Sequence, residues 1–328
     1  MADRRDFVKG MVAAGVVARF GNVAQAENPS GIPTRTLGHS GQQVSMLGLG
    51  GYHIGNPSEA EAIKIIRTAV DNGITFMDNC WDYHDGDSEV RMGKALRDGY
   101  REKVFLMTKI DGRDGKTAAQ QIDQSLQRLE TDHIDLLQFH EVIRMNDPER
   151  IFAHGGGMEA AVKARETGKI RLIGFTGHKS PQIHKHMLEV ADQHQFKFDS
   201  VQMPLNVMDA QYESFAQIVL PMAQQRNIGV LGMKPIGDGI LLKSGKVSAV
   251  ECLRYALSLP TSVVITGCES MKVVQQAIDL GRNFQPLTAG ERAALLSKTA
   301  EVAKNGQFEL YKTSTQFDGT THNPQWLG

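Results

Sequence analysis

The chain has 328 residues, 41% of them hydrophobic and 22% charged, which is typical of a folded globular protein with a substantial core. Its 36 basic and 37 acidic residues nearly cancel, so no charge excess favours binding to nucleic acid or to an anionic membrane surface. The three cysteines form no CxxC pair and give no sign of a zinc knuckle, an iron–sulfur cluster or a disulfide framework. These bounds favour chemistry on a small molecule.

Residues 1–26 have the features of an export signal that is removed from the mature protein. Arg4 and Arg5 precede a weakly apolar run over residues 10–18, and the sequence AQA at 24–26 has the small-x-small pattern of a cleavage site. The stretch resembles a twin-arginine signal, which implies export of the folded protein by the twin-arginine machinery and a periplasmic location. The apolar run is too short to span a bilayer, so we expect no membrane span in the mature protein. The alternative is an ordinary basic N-terminus on a cytoplasmic protein.

From residue 33 to residue 304, short apolar runs alternate with longer amphipathic segments. A hairpin is expected first, over residues 34–44, where it would close the N-terminal end of the domain. Apolar residues recur at helical spacing between the runs, as in residues 60–73 and 118–130. The eight predicted strands are VSMLGLGG from Val44, ITFMD from Ile74, VFLMTK from Val104, IDLLQFH from Ile134, IRLIGFTG from Ile170, SVQMPL from Ser200, IGVLGMKP from Ile228 and SVVITG from Ser262.

Eight strand–helix units over about 240 residues predict an α/β fold of the (β/α)8 TIM barrel type, whose usual size is about 250 residues. An open doubly wound sheet is the alternative. It needs a GxGxxG phosphate loop and a helix directly after the first strand, and LGLGGYHIG lacks that spacing. Residues 305–328 are polar and weakly periodic, and we expect an irregular C-terminal tail anchored by Phe308, Tyr311 and Trp326.

Four residues that can hold or move a proton follow the ends of three neighbouring predicted strands. Asp78, Lys109 and His140 end the second, third and fourth strands, and Tyr83 follows Asp78 by five residues. In a (β/α)8 barrel these positions surround one mouth. A tyrosine with a pKa of about 10 is a poor acid at neutral pH, so we expect the Lys109 ammonium to lower the pKa of Tyr83, and Asp78 to keep the lysine charged. Each residue alone has an ordinary structural explanation, but the combination predicts a proton relay.

This Asp-Tyr-Lys-His combination, in the context GITFMDNCWDYHDGDSEVRMGKAL and VFLMTK, resembles the aldo-keto reductase family from about residue 35 to about residue 282. The resemblance implies NAD(P)H-dependent reduction of an aldehyde, ketone or sugar carbonyl, or the reverse oxidation, with no metal ion. Tyr83 would be the proton donor, tuned by Lys109 and Asp78, and His140 would orient and polarise the carbonyl. The hydride would come from the cofactor.

The same resemblance implies a cofactor site along the last four strands. Gly177 stands where the family has an asparagine that binds the nicotinamide carboxamide, so His178 is expected to compensate. NADP(H) is favoured by the habit of the family, and NAD(H) stays open because Val273 and Ala277 replace its arginine and asparagine. The residues expected to bind the cofactor are Thr176, Gly177, Gln202, Met233, Lys234, Pro235, Gly237, Gly267, Ser270, Lys272 and Gln276.

Trp81 and His84 flank Tyr83, and His53 follows the first strand, so these three are expected to line the substrate pocket, with Glu141 as a further acceptor. The alternative function is a non-catalytic or slow sensor or regulatory protein that binds the cofactor on the same fold. A metal-dependent barrel hydrolase would need clustered ligands such as His-x-His at strand ends, and the sequence has none. The expected partners are a small carbonyl compound and the twin-arginine export machinery.

Overall fold

A closed barrel of parallel strands forms the centre of the structure, a computed structural model that describes residues 31–328. Two strands before the barrel form a hairpin, β1 Thr34–Thr36 and β2 Gln43–Ser45. The barrel strands are β3 Leu47–Gly50, β4 Phe76–Asp78, β5 Phe105–Ile110, β6 Ile134–Phe139, β7 Ile170–Thr176, β8 Ser200–Pro204, β9 Gly229–Met233 and β10 Val263–Gly267. In this part of the chain, β3 to β10 pair in chain order and β10 returns to β3. Each of the eight predicted runs coincides with one barrel strand, although β5 ends one residue beyond its run, at Ile110, so the predicted (β/α)8 fold is confirmed.

Helices follow the barrel strands, and most of the longer ones cover the outer faces of these strands. They are α1 Gly51–Ile54, α2 Glu59–Asp71, α3 Asp87–Ala95, α4 Gly115–Arg128, α5 Asp147–Phe152, α6 Gly157–Glu166, α7 Pro181–Gln193, α8 Phe215–Gln225, α9 Ala249–Leu257, α10 Met271–Arg282, α11 Ala289–Ala303, α12 Leu310–Thr313 and α13 Gly319–His322. Side-chain caps set several of the helix starts, as where Ser58 accepts a hydrogen bond from the Glu61 amide at the start of α2. The apolar stripe of each long helix packs on the barrel, which leaves the strand ends free to carry polar groups.

The β1–β2 hairpin closes the N-terminal end of the barrel, as expected. Between its strands, Leu37 is fully buried in a cluster with Phe76, Met107 and Leu231 from inside the barrel. Arg35 is also buried and donates hydrogen bonds to the Leu257 carbonyl at 2.8 Å and the Thr261 carbonyl at 2.9 Å. Because this end is plugged by side chains, a ligand has access only from the C-terminal ends of the strands.

The C-terminal tail folds back over that opposite end of the barrel. It consists of α12, α13 and a 3-10 turn at Pro324–Leu327, joined by irregular backbone. Of its predicted anchors, Tyr311 is fully buried, Phe308 packs partly against the core, and Trp326 stands edge-on to Trp81 with ring centroids 5.8 Å apart. The tail is therefore a wall of the barrel mouth.

The predicted export signal over residues 1–26 lies outside the described residues and stays a prediction. Within residues 31–328, no helix has both the length and the apolar character that crossing a membrane requires.

Candidate active site

Asp78, Lys109 and Tyr83 meet at the C-terminal mouth of the barrel. Asp78 is the last residue of β4 and Lys109 lies near the end of the neighbouring β5, and both side chains are buried. The Lys109 ammonium donates to Asp78 Oδ1 and to the Asn79 carbonyl at 2.6 Å, and lies 3.3 Å from the Tyr83 hydroxyl. Parallel pairing of β4 with β5 brings the three groups together, as predicted from their positions at strand ends.

Tyr83 begins a tight 3-10 turn after β4, and its ring lies 4.7 Å below the Lys109 ammonium. Burial, followed by the charge of Asp78 and other nearby acids, raises the pKa of Tyr83 well above its usual value. The expected lowering of this pKa by Lys109 is therefore wrong. The ammonium is already neutralised by Asp78, while the phenolate form of Tyr83 would lose its hydration inside the site. Tyr83 consequently carries its proton at neutral pH, as a proton donor must.

His140 follows β6 directly and faces Tyr83, with ring centroids 5.7 Å apart. Its Nδ1 lies 3.0 Å from Asp111 Oδ1 and 3.4 Å from Asp82 Oδ1. Burial raises the pKa of Asp82 to about 7, and burial, with the charge of Glu141, raises the pKa of Asp111 to about 8. Sequence reasoning missed both carboxylates. Each of them closely follows a barrel strand, and residues in such positions gather at the mouth of a (β/α)8 barrel.

Arg113 fixes the loops that carry this cluster. Its fully buried guanidinium lies 3.2 Å from Asp147 and donates to the carbonyls of Asp111 at 2.7 Å, His140 at 2.7 Å and Glu141 at 2.9 Å. A planar guanidinium with five donors can hold several acceptors in one geometry, which a lysine cannot. The loops after β5 and β6 are therefore tied to each other beneath His140.

Gln202 on β8 has the features expected of a carboxamide-binding residue. Its Nε2 donates to Asp78 Oδ2 at 3.3 Å, which joins it to the group formed by Asp78, Lys109 and Tyr83. Its Oε1 is buried and has no hydrogen-bond partner among the described residues. Thr176, at the end of β7, is also buried, and its hydroxyl lies 3.9 Å from the sulfur of Met233. An amide N–H of a nicotinamide would satisfy the orphaned oxygen, so these residues fit the expected cofactor.

At Gly177 the surrounding backbone leaves no room for a side chain. A Cβ there would lie 2.3 Å from the Val142 carbonyl oxygen and 2.9 Å from His184. That carbonyl belongs to the loop after β6, whose Val142 amide also donates to the Thr176 carbonyl at 2.8 Å. An asparagine at this position would push apart the two strand ends that carry His140 and Thr176.

Gly177→Ala is expected to lower the free energy of unfolding by about 1–3 kcal/mol, because the added methyl overpacks a rigid backbone contact. Urea unfolding measures this loss. Gly290→Ala is the matched control, since a Cβ on Gly290 in α11 meets no atom within 4 Å and alanine favours a helix. Its stability should stay within about 1 kcal/mol of the parent or above it. Equal stability of the two variants would contradict the proposed crowding at Gly177.

His178 does not replace the missing amide. Its Nε2 lies 3.0 Å from Asp318 of the tail, and the Lys179 ammonium lies 2.7 Å from the same carboxylate. Glu141, expected to be an acceptor at the mouth, is likewise held by the tail, where it accepts from the amides of Gly319 at 2.8 Å and Thr320 at 2.7 Å. Both residues therefore anchor the tail.

The loop after β9 has the backbone shape expected of a phosphate-binding segment. Lys234, Gly237 and Asp238 all have positive φ angles, of 51°, 58° and 56°. Pro235 is buried within the same loop, and the Lys234 ammonium lies 4.9 Å above the ring of Phe317 from the tail. The loop thus turns sharply at the mouth between the barrel and the tail.

The three predicted substrate-pocket residues have different hydrogen-bond partners, while His53 and His84 both contact the ring of Tyr52. His53 sits on Gly267, where a Cβ would come within 2.1 Å of its ring, and pairs with Asp238 at 3.0 Å, so it belongs to the predicted cofactor side. Trp81 lies at the rim, where its indole N–H donates to Gln124 at 2.6 Å. His84 packs behind Tyr52, at 2.8 Å from the Tyr52 carbonyl. Tyr52, which precedes His53 after the first barrel strand, also lies at the mouth, where its half-exposed ring stands edge-on to Tyr83 at 5.4 Å.

The predicted adenosine-binding residues lie at the start of α10. Ser270 caps this helix by accepting from the Val273 amide, while Lys272 and Gln276 are exposed and line an open groove of about 740 Å³ between α9 and α10. The carboxylate of Glu269, which would repel a phosphate, lies 3.4 Å from Asn56. The groove leaves Lys272 available to an anionic ligand, and it lies apart from the group around Tyr83.

The sequence matches the family model described as "Aldo/keto reductase family" over residues 46–249. Among curated proteins it is 30% identical over 229 residues to "Aldo-keto reductase YhdN" of Bacillus subtilis, a match covering 65% of this chain and 64% of that protein. It is 28% identical over 265 residues to "Aldo-keto reductase AMT2" of Alternaria alternata, covering 67% of this chain and 69% of that protein. The match thus spans slightly less than two thirds of YhdN.

Solved structures share the fold. The aldo-keto reductase AKR11C1 from Bacillus halodurans, in its holo form, superposes with a TM-score of 0.68 at 24% identity, covering 81% of this chain and 96% of that one. An aldo/keto reductase from Klebsiella pneumoniae in complex with NADP and acetate gives a TM-score of 0.64 at 22% identity, covering 83% of this chain and 96% of that one. At 24% and 22% identity, these two similarities show a shared fold and nothing further.

Proposed function

Because the chain belongs to the aldo/keto reductase family, we propose that it reduces the carbonyl of an aldehyde, ketone or sugar with NADPH, or catalyses the reverse oxidation. The observation that carries this proposal is the contact of Lys109 with both Asp78 and Tyr83, beside the unpartnered oxygen of Gln202. When bound, the nicotinamide cofactor would supply or accept the hydride.

In this mechanism Tyr83 gives its proton to the carbonyl oxygen as negative charge develops there. The phenolate that results lies 3.3 Å from the Lys109 ammonium, which stabilises it. Asp78 keeps the ammonium fixed and charged while the proton moves. His140, across from Tyr83, orients the same carbonyl oxygen by a hydrogen bond. Thr176 and Gln202 would hold the nicotinamide carboxamide, and the loop from Lys234 to Gly237 would lie along the pyrophosphate.

We favour NADP(H) over NAD(H). Support comes from the exposed Lys272 beside the groove, which suits a 2′-phosphate, and from Glu269, whose carboxylate lies near Asn56. The structural relative from Klebsiella pneumoniae is described as a complex with NADP, in agreement with this preference. Comparing NADPH with NADH at equal concentration in the activity assay tests the choice.

Tyr83→Phe is expected to lower kcat by about 10²–10⁴-fold, because it removes the general acid. The test measures NADPH oxidation by the purified full chain against aromatic and aliphatic aldehydes, ketones and aldoses. The Kd for NADPH, from quenching of protein fluorescence, should stay the same in the variant. Tyr100→Phe is the control, since that phenol donates to Asp71 on the outer surface.

Two outcomes would overturn the proposal. One is NADPH binding without turnover on the whole panel, which would favour the sensor function. The other is turnover that survives unchanged in Tyr83→Phe, which would place the proton donor elsewhere.

A further inference from the structure

The group around His140 contains more buried acid than the proposed reaction requires. Each of the nearby cations already has a partner, because Lys109 binds Asp78 and Arg113 binds Asp147. The Glu141 carboxylate is held by backbone amides of the tail. Asp82 and Asp111 are the remaining acids of this group, and neither pairs with Lys109 or Arg113. In the described structure both pair with the same atom, His140 Nδ1.

Both carboxylates have an oxygen without a hydrogen-bond partner in the described part of the chain, Oδ1 of Asp82 and Oδ2 of Asp111. Asp111 is fully buried and its Oδ2 has no hydrogen-bond partner among residues 31–328. The side chain of Asp82 is only 10% exposed and lies near the tail, since a Cβ on Gly319 would come 3.4 Å from its Oδ2. Two ionised carboxylates around one imidazole nitrogen would repel each other in a site that excludes water, so the group keeps a proton that it shares.

We propose that Asp111, assisted by Asp82, is a positioning residue that keeps a shared proton on the Nδ1 side of His140, so that Nε2 carries hydrogen toward the substrate. If the carboxyl group holds the shared proton, it donates to Nδ1 and the neutral ring carries its hydrogen on Nε2. If the ring holds it, the imidazolium carries hydrogen on both nitrogens. In either arrangement Nε2 donates to a carbonyl oxygen, and this use rests on the proposed reductase function.

Loss of the shared proton removes the hydrogen from Nε2 of His140. A neutral His140 facing two ionised carboxylates donates from Nδ1, which leaves a lone pair on Nε2 and no hydrogen for the carbonyl. The pKa of Asp82 is raised by burial to about 7 and that of Asp111 to about 8, so the loss falls between neutral and alkaline pH. Carbonyl reduction should therefore weaken as the pH rises above this range.

Other charged and titratable groups surround the ring and act on the same equilibrium. They are Cys80 and Tyr83 after β4, Lys109 and Arg113 on and after β5, Glu141 and Arg144 after β6, and His178 and Asp318 where β7 meets the tail. None of them lies as near to Nδ1 of His140 as Asp111 does. Substitution of Asp111 is therefore the most direct test of the shared proton.

The experiment records the ¹⁵N resonances of His140 in the full chain from pH 6 to pH 10, without cofactor. In the parent, Nε2 should carry hydrogen at pH 6.5 and lose it by pH 9.5. Asp111→Asn should abolish this switch, and the fall in kcat/KM for carbonyl reduction over the same range should disappear with it. Asp82→Asn is the second variant, and it should shift the switch by a smaller amount because its contact is longer.

Asp199→Asn is the matched control, since Asp199 is a buried carboxylate near the opposite end of the barrel, where it accepts from the Ile173 amide. It should leave the switch unchanged. A parent Nε2 without hydrogen at pH 6.5, or a switch that persists with the same midpoint in Asp111→Asn, would overturn the proposal. The NMR measurement does not depend on enzymatic turnover. If the parent shows the expected change at Nε2 but reduces no carbonyl, the proposed function is refuted and the inference about His140 is not.

Discussion

Lys109→Met is expected to lower kcat for carbonyl reduction by about 10²–10⁴-fold and the free energy of unfolding by about 3–5 kcal/mol. The activity falls because the phenolate left by Tyr83 loses the cation that lies 3.3 Å away. The stability falls because Asp78 stays buried without its cationic partner, with Gln202 as the one side chain among residues 31–328 that still donates to it. Steady-state kinetics and urea unfolding measure the two effects on the same preparation.

Addition of Asp78→Asn to Lys109→Met separates the two roles of the ion pair. With both charges removed, no isolated charge is buried, and most of the lost stability should return. Activity should not return, because the cation beside Tyr83 is still missing. The interpretation fails if the double variant is less stable than Lys109→Met, or if Lys109→Met keeps its turnover within tenfold of the parent.

Lys312→Met is expected to lower the free energy of unfolding by about 3–5 kcal/mol, although it lies in the C-terminal tail. The Lys312 ammonium is buried and lies 2.8 Å from Asp209 and 3.0 Å from Glu309. It also donates to the Tyr212 carbonyl at 2.8 Å. Methionine has a similar length and no charge, so the substitution leaves two carboxylates close together inside the protein. Thermal and urea unfolding measure the loss.

The pH dependence of this loss has a predicted sign. Burial already raises the pKa of Glu309, and removal of the ammonium raises it further. A carboxyl whose pKa is raised by folding binds its proton more tightly in the folded state, so it destabilises the protein as the pH increases. The difference between Lys312→Met and the parent should therefore be smaller at pH 5 than at pH 8.

Lys304→Met is the control for the loss of a lysine near the tail. Lys304 pairs with Glu301 at 2.6 Å, but both side chains are more than half exposed, so little stability depends on the pair. A change within about 0.5 kcal/mol is expected. If Lys312→Met behaves like Lys304→Met, the tail is not anchored through Asp209 as the structure indicates.

The barrel was predictable because its signals are local. Each strand from β3 to β10 is a short apolar run, and amphipathic segments and turn residues separate the runs. The positions of Asp78, Lys109 and His140 at strand ends predict their meeting, because parallel strands end at one edge. The hairpin that closes the N-terminal end of the barrel was also predictable from a local sequence pattern, because it directly precedes the first barrel strand.

The course of the tail was not predictable in the same way. Residues 305–328 lack a periodic apolar face, and only contacts with distant residues such as Glu141 and Asp209 decide where the tail lies. The crowding at Gly177 is equally non-local, because it depends on the Val142 carbonyl from another loop.

By itself, the sequence determined the order of strands and helices and the set of residues at the strand ends, since hydrophobic period and chain order are local properties. The tertiary structure alone decided that Asp82 and Asp111 share Nδ1 of His140, and that burial raises the pKa of Tyr83 where a lowering was expected. Distances between loops and the exclusion of water depend on how the whole chain packs, and no residue pattern records them.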